Sequence, residues 1–154
     1  MRTVEGPDGA TLIVRKASGD SLLVADPETG EERYVARSDV TELDGDSALA
    51  AAATGVPLAT RRVLTAVHDD ESLGLLLELA DRGPLPAVTL LDDYDRCESD
   101  LHGLLTEFRA AGLVEETRVH GERGYDATAL ARDGIAHLRT DANGDGERRG
   151  LGGD

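Results

Sequence analysis

The sequence predicts an α+β chain in which a small three-stranded β unit precedes a helical domain. Two observations predict it. Residues 1–45 hold three short β-prone runs separated by turn formers, whereas from residue 58 onward apolar side chains recur at helical spacing. Residues 46–57 (DSALAAAATGVP) between them have the composition of a linker, with an Ala run able to form a brief helix. A chain of 154 residues fits one domain with a small appended module.

The β-prone runs are residues 11–16 (TLIVRK), 21–25 (SLLVA) and 32–36 (ERYVA). Gly19-Asp20 separates the first two, and residues 26–30 (DPETG) separate the second from the third. Pro27 presets φ and Gly30 accepts a left-handed conformation, so this segment specifies a tight hairpin. Ser38 then reads as the cap of a short helical turn through Leu43. Three strands of this length bury little and need further cover. In the helical region Val63, Leu64 and Val67 mark a helix over 58–68. Ser72 reads as the cap of the next, which carries Leu73, Leu76, Leu77 and Ala80 on one face and Leu75 and Leu79 on the other. A helix apolar on two faces is covered on two sides, here by the domain body and by the 58–68 helix or a second copy of the chain. Gly83-Pro84 stops it.

Thirty-one acidic residues against 16 basic give a formal net charge of -15. Of the basic residues 15 are Arg and one, Lys16, is Lys. This acid-rich, Lys-poor and aromatic-poor composition resembles that of haloarchaeal proteins, which implies a cytoplasm of molar potassium. The apolar share of 40%, grouped in periodic blocks, sets it apart from a disordered acidic chain. The longest uncharged apolar stretches fall far short of the roughly 20 residues of a membrane span. The start shows no secretory pattern, and the single cysteine, Cys97, permits no internal disulfide. A soluble, cytoplasmic protein with no membrane association is the expectation.

Residues 73–138 follow the order helix (LGLLLELADRG), short apolar link (Pro84-Leu85), second helix from Pro86 (PAVTLLDDY), turn, third helix, hairpin, final helix. The most specific segment is residues 97–114, CESDLHGLLTEFRAAGLV, where Leu101, Leu104, Leu105 and Phe108 form an apolar stripe. Gly112 provides a left-handed cap and Leu113-Val114 lead into a strand. A hairpin of residues 114–119 and 124–127 around His120-Gly121-Glu122-Arg123 follows, then Thr128 and a helix to Leu138. This stretch resembles the winged helix-turn-helix domains of MarR-, ArsR- and PadR-like regulators, and the whole chain is similar to uncharacterised haloarchaeal proteins with a β hairpin in front of such a domain. The resemblance implies a winged helix-turn-helix domain over 58–140 with an extra N-terminal helix, DNA as partner and a role in transcription regulation. The 58–82 helices would then form a homodimer, and the β unit would dock a partner or sense a signal.

With the stripe turned inward, the third helix presents Ser99, Gly103, Thr106 and Ala110 outward, flanked by His102 and Arg109 on one side and by Asp100 and Glu107 on the other. The expected DNA-contacting residues are therefore Ser99, His102, Thr106 and Arg109 on that helix, with Arg118, His120 and Arg123 on the wing. Arg96 adds a further cation nearby. Base edges are read by Arg, Lys, Asn or Gln. This face holds few of them, and Glu98 and Asp100 stand where phosphate is met. Net charge decides little, because at 1 M salt the Debye length is about 3 Å. The small outward line also suits close approach of a protein helix, so the rival expectation is an adaptor whose winged domain binds a protein partner and no DNA.

Residues 141–146 (DANGDG) open like a calcium loop, but Gly152 stands where a bidentate Glu is needed, so residues 141–154 read as a disordered acidic, Gly-rich tail. His68-Asp69-Asp70-Glu71 and Asp92-Asp93-Tyr94-Asp95 read as helix junctions rather than metal sites. Cys97 falls on the inward side of the third helix and reads as a buried, inert thiol. No catalytic constellation, phosphate-binding Gly loop or cofactor motif appears, so no enzymatic activity, no metal and no cofactor are expected.

Overall fold

The computed structural model describes residues 2–45, 47–94 and 97–148, with side chains through residue 139. The chain is α+β and divides into two units, Met1–Pro57 and Leu58–Asp154.

The first unit is an antiparallel sheet of five strands in the order β4-β3-β2-β1-β5. Strands β2 (Thr11–Ser18), β3 (Ser21–Ala25) and β4 (Glu32–Ala36) lie where the sequence places them, although β2 runs two residues longer. The sheet corrects the expected three strands by adding β1 (Arg2–Glu5) and β5 (Thr41–Glu42) on the far edge. Both are too short to signal themselves. β5 exists because Glu42 and Thr41 pair with Val4 and Glu5. Asp26 closes the β3–β4 turn as expected, its carboxylate accepting from Glu28 N–H at 2.8 Å and its carbonyl from Gly30 N–H at 2.8 Å. Beyond β4 a 3-10 turn spans Arg37–Asp39, capped by Ala36 without a side-chain bond rather than by Ser38. The inner face collects Val4, Leu12, Val14, Leu22 and Val24, with Val35 and Val40 packed against them. Residues 46–57 are no simple linker. Ser47 caps α1 (Ala48–Ala53), whose Ala48 and Ala51 are buried and which packs on β1 and β2.

The second unit runs α2 (Leu58–Ala66), α3 (Asp70–Arg82), β6 (Leu85–Pro86), α4 (Ala87–Asp93), α5 (Glu98–Ala110), β7 (Val114–Val119), β8 (Glu122–Ala127) and α6 (Ala129–Arg148). This element order is compatible with the layout that the sequence resemblance implies, and β6-β8-β7 form a three-stranded sheet. The apolar link after α3 is thus a strand, and Pro86 caps α4 rather than opening it. Asp69, not Ser72, caps α3. The Asp69 carboxylate accepts from Ser72 N–H at 2.8 Å and the Ser72 hydroxyl accepts from Asp69 N–H at 3.1 Å, a reciprocal capping box. The core joins Leu75, Leu76 and Leu79 of α3 to Leu90, Leu101, Leu105, Phe108, Tyr125, Ala131 and Ile135.

Two packing expectations change. Both apolar faces of α3 are used inside the unit, since Leu77 and Ala80 also pack against this core. Meanwhile α2 lies chiefly on α6, where Gly134 admits it: a Cβ there would stand 2.4 Å from the Ala59 carbonyl oxygen. The final helix also extends past Leu138 to Arg148, carrying residues 141–148 of the expected tail in helix, because no proline interrupts it. That excludes a calcium loop opening at Asp141, and residues 149–154 of the expected tail lie outside the described residues.

Candidate nucleic-acid interface

The third helix, α5, is set by its apolar stripe. Leu101, Leu105 and Phe108 are buried and Leu104 half-buried, so the opposite line of Ser99, Gly103, Thr106 and Ala110 faces out and is exposed. Its end is a Schellman motif: Leu113 N–H donates to Phe108 C=O at 2.8 Å and Gly112 N–H to Arg109 C=O at 3.0 Å, with Gly112 at φ 76°. That cap turns the chain directly into β7. At the far end of the wing His120 (φ 52°) and Gly121 (φ 83°) form the two-residue turn, so β8 begins at Glu122, two residues before the expected start. Thr128 closes the loop back to the helix, its hydroxyl donating to Gly112 C=O at 2.7 Å and accepting from Ala131 N–H at 3.2 Å.

The sequence-predicted residues separate into two groups. Arg109, His102, Arg118 and Arg123 are brought together on the flank of α5 that faces the wing. His102 and Arg123 line one cleft of about 90 Å³ with Leu90, Leu91, Leu105 and Tyr125. Arg109 and Arg123 both reach Glu116 of β7, at 3.5 Å and 3.0 Å. Arg118 stands opposite Arg123 in the ladder and donates to Gly121 C=O at 3.0 Å, which ties it to the wing turn. The others stand apart. The Thr106 hydroxyl is bonded back to His102 C=O at 2.8 Å, so its donor is engaged within the helix. Ser99 lies at the first turn with its hydroxyl 3.3 Å from Cys97 Sγ, and His120 is exposed at the wing tip. Arg96 lies outside the described residues.

Cys97 is exposed, which corrects the expected burial: α5 begins at Glu98, so Cys97 is its extended N-cap and does not follow the helical wheel. Among the described residues no three His, Cys, Asp or Glu side chains converge to hold a metal, and no helix is long and apolar enough to cross a membrane.

Sequence reasoning missed two residues. Glu116 is the anion shared by Arg109 of α5 and Arg123 of the wing, and its one local signal was the period-two spacing that puts it on the same face of β7 as Arg118. Arg62 of α2 lines a groove of about 410 Å³ with Glu107 and Ala110 at the end of α5, where His68 Nε2 is 2.8 Å from Glu107 Oε2. No local signal announces Arg62, because its place depends on how α2 packs.

A family of unknown function, DUF7346, matches residues 1–139. The chain belongs to that family. The match covers the five-stranded unit and the winged unit alike. No curated protein matches the chain.

Proposed function

We propose that this DUF7346 member is a winged helix-turn-helix DNA-binding protein of transcription regulation, working in a cytoplasm of high salt. The observation that carries the reading is the convergence of Arg109, Arg118 and Arg123 from α5 and both wing strands on the flank of an exposed helix line. Phosphate contacts need guanidinium groups at fixed positions, and such short-range pairing persists where salt screens long-range attraction. Ser99, His102, Thr106 and His120 complete the reading surface. The outward line of α5 offers few donors to base edges, so backbone contacts dominate over base readout in this proposal.

A homodimer through α2 belongs to the same reading. Leu58 and Leu64 of α2 are 50% and 54% exposed, apolar surface of the kind that a second copy covers. The β unit serves as the docking or sensing module. Sheared genomic DNA retained in about 2 M KCl, then sequenced, tests the DNA reading under strong screening. Retention of DNA, lost in the Arg109→Ala, Arg123→Ala double variant, is the expected result, and the sequenced fragments show how much base readout adds. No DNA retained over a protein-free control removes the reading.

One observation favours an adaptor instead: Val88 and Leu91 on α4 are 57% and 36% exposed, and Leu91 also lines the cleft beside His102. A stoichiometric protein partner recovered at the same salt, with no DNA retained, would favour that reading.

A further inference from the structure

Residues 114, 116 and 118 of β7 share one face with their ladder partners Ala127, Tyr125 and Arg123. On that face Val114, Tyr125 and Ala127 are buried, so Glu116, Arg118 and Arg123 stand at the edge of the packed region beside α5. Arg118 and Arg123 oppose each other directly, a cross-strand pairing of like charges that is unfavourable unless an anion lies near. Glu116 supplies it. Its Oε1 is 3.0 Å from Arg123 Nε, while its Oε2 is 3.5 Å from both Arg123 Nη2 and Arg109 Nη1. The Arg123 guanidinium also sits 5.7 Å above the Tyr125 ring, within cation–π range.

Two guanidinium groups bridged by the two oxygens of one carboxylate reproduce how a pair of arginines holds two phosphate oxygens. We propose that Arg109 and Arg123 form a phosphodiester site and that Glu116 is its built-in competitor, a carboxylate that occupies the phosphate position until a backbone phosphate displaces it. The proposal rests on the DNA-binding reading of this face. Displacement is easy, because Arg109, Arg123 and Glu116 are 44%, 54% and 38% exposed and exposed ion pairs are weak. Competition therefore sets the affinity without forbidding binding. It also discriminates against isolated small anions, which must displace the carboxylate without the further contacts that a strand of DNA makes along α5.

Glu116→Gln keeps the shape and removes the charge. Glu115→Gln removes the same charge from the opposite face of β7, where Glu115 pairs with Asp126 in the ladder. Both variants and the parent are titrated with random-sequence duplex DNA and, separately, with inorganic polyphosphate, from about 0.5 to 2 M KCl, a range over which each phosphate contact steepens the salt dependence by a log slope of about 0.9. The expected result is about 5- to 10-fold tighter DNA binding by Glu116→Gln at the low end, a steeper salt slope, and less than about a 2-fold change for Glu115→Gln. Adding Arg109→Ala and Arg123→Ala should erase the gain. If DNA binds and Glu116→Gln matches Glu115→Gln or binds more weakly, the competitor is overturned while the DNA reading stands. If no variant binds DNA but Glu116→Gln alone gains polyphosphate, the competitor stands and the DNA reading falls. If Glu116→Gln gains neither probe, the competitor is overturned.

Discussion

Gly103 and Gly134 both lie inside helices of the second unit, and their surroundings are opposite. Gly134 in α6 is jammed against α2, where a Cβ would meet Ala59 O at 2.4 Å and Val63 Cγ2 at 2.9 Å. Gly103 in α5 faces open space, with nothing within 4 Å of an added Cβ. Both cost helix propensity relative to Ala. At Gly134 the cost is offset inside the chain by the close approach of two backbones. At Gly103 nothing in the chain offsets it, so any offset must come from what α5 meets outside. A glycine in a helix thus marks internal packing in one case and a bare outer surface in the other.

The comparison is easiest to break at Gly134. Gly134→Ala should destabilise by about 2 kcal/mol through overpacking, read as a lowered midpoint in chemical denaturation at fixed salt. Unchanged stability would mean that α2 does not lie where its packing on α6 requires. Gly103→Ala should do the reverse and stabilise by about 1 kcal/mol, because helix propensity is gained and nothing is struck. The same variant sharpens the functional side. If DNA or a protein partner seats closely on the Ser99-to-Ala110 line, retention should fall although the fold is firmer, and unchanged retention would place the contacts on the wing flank alone.

A smaller effect is expected at Thr60, whose hydroxyl donates to Gly134 C=O at a long 3.4 Å. Thr60→Val should cost no more than about 0.5 kcal/mol, below the usual value of a well-formed bond. The last test concerns another anchor of α6, Arg139, whose guanidinium meets both Asp81 oxygens at 2.9 Å. Hydrogen bonding to Arg139 holds the Asp81 carboxyl below its ordinary value of 3.8. The contribution is therefore present above that value and lost as pH falls through the lowered one. Asp81→Asn should change the melting temperature slightly at pH 7 and not at all in strong acid; an equal change at both would show that charge plays no part.

The contrast between the glycines also marks what was legible. Periodicity alone reveals the α5 stripe, because Leu101, Leu105 and Phe108 must share a side, and Gly112 shows the helix end because only its left-handed cap completes the turn into β7. The role of Gly134 depends on Ala59, 75 positions earlier, a distance over which no local pattern acts. β1 and β5 were hidden for the same reason, since strands of four and two residues are defined by their partners and not by their own residues. In the candidate site the arginines were legible as residue types. Their shared carboxylate was not, because it needs the register that sets Glu116 opposite Tyr125.

That register has a mechanical consequence. β6 grips β8 at two positions, Leu85 with Tyr125 and Pro86 with Gly124, and the grip ends there. The wing is thus a beam clamped at its root and free toward its tip. Arg123 is the first residue past the clamp, while Arg118 faces it on the unclamped strand and His120 rides the end. Contacts from the root are held by a third strand before binding, whereas those from the tip are held by the hairpin alone and have more ordering to supply on binding. Contact strength should therefore decline outward along the beam, from Arg123 to His120.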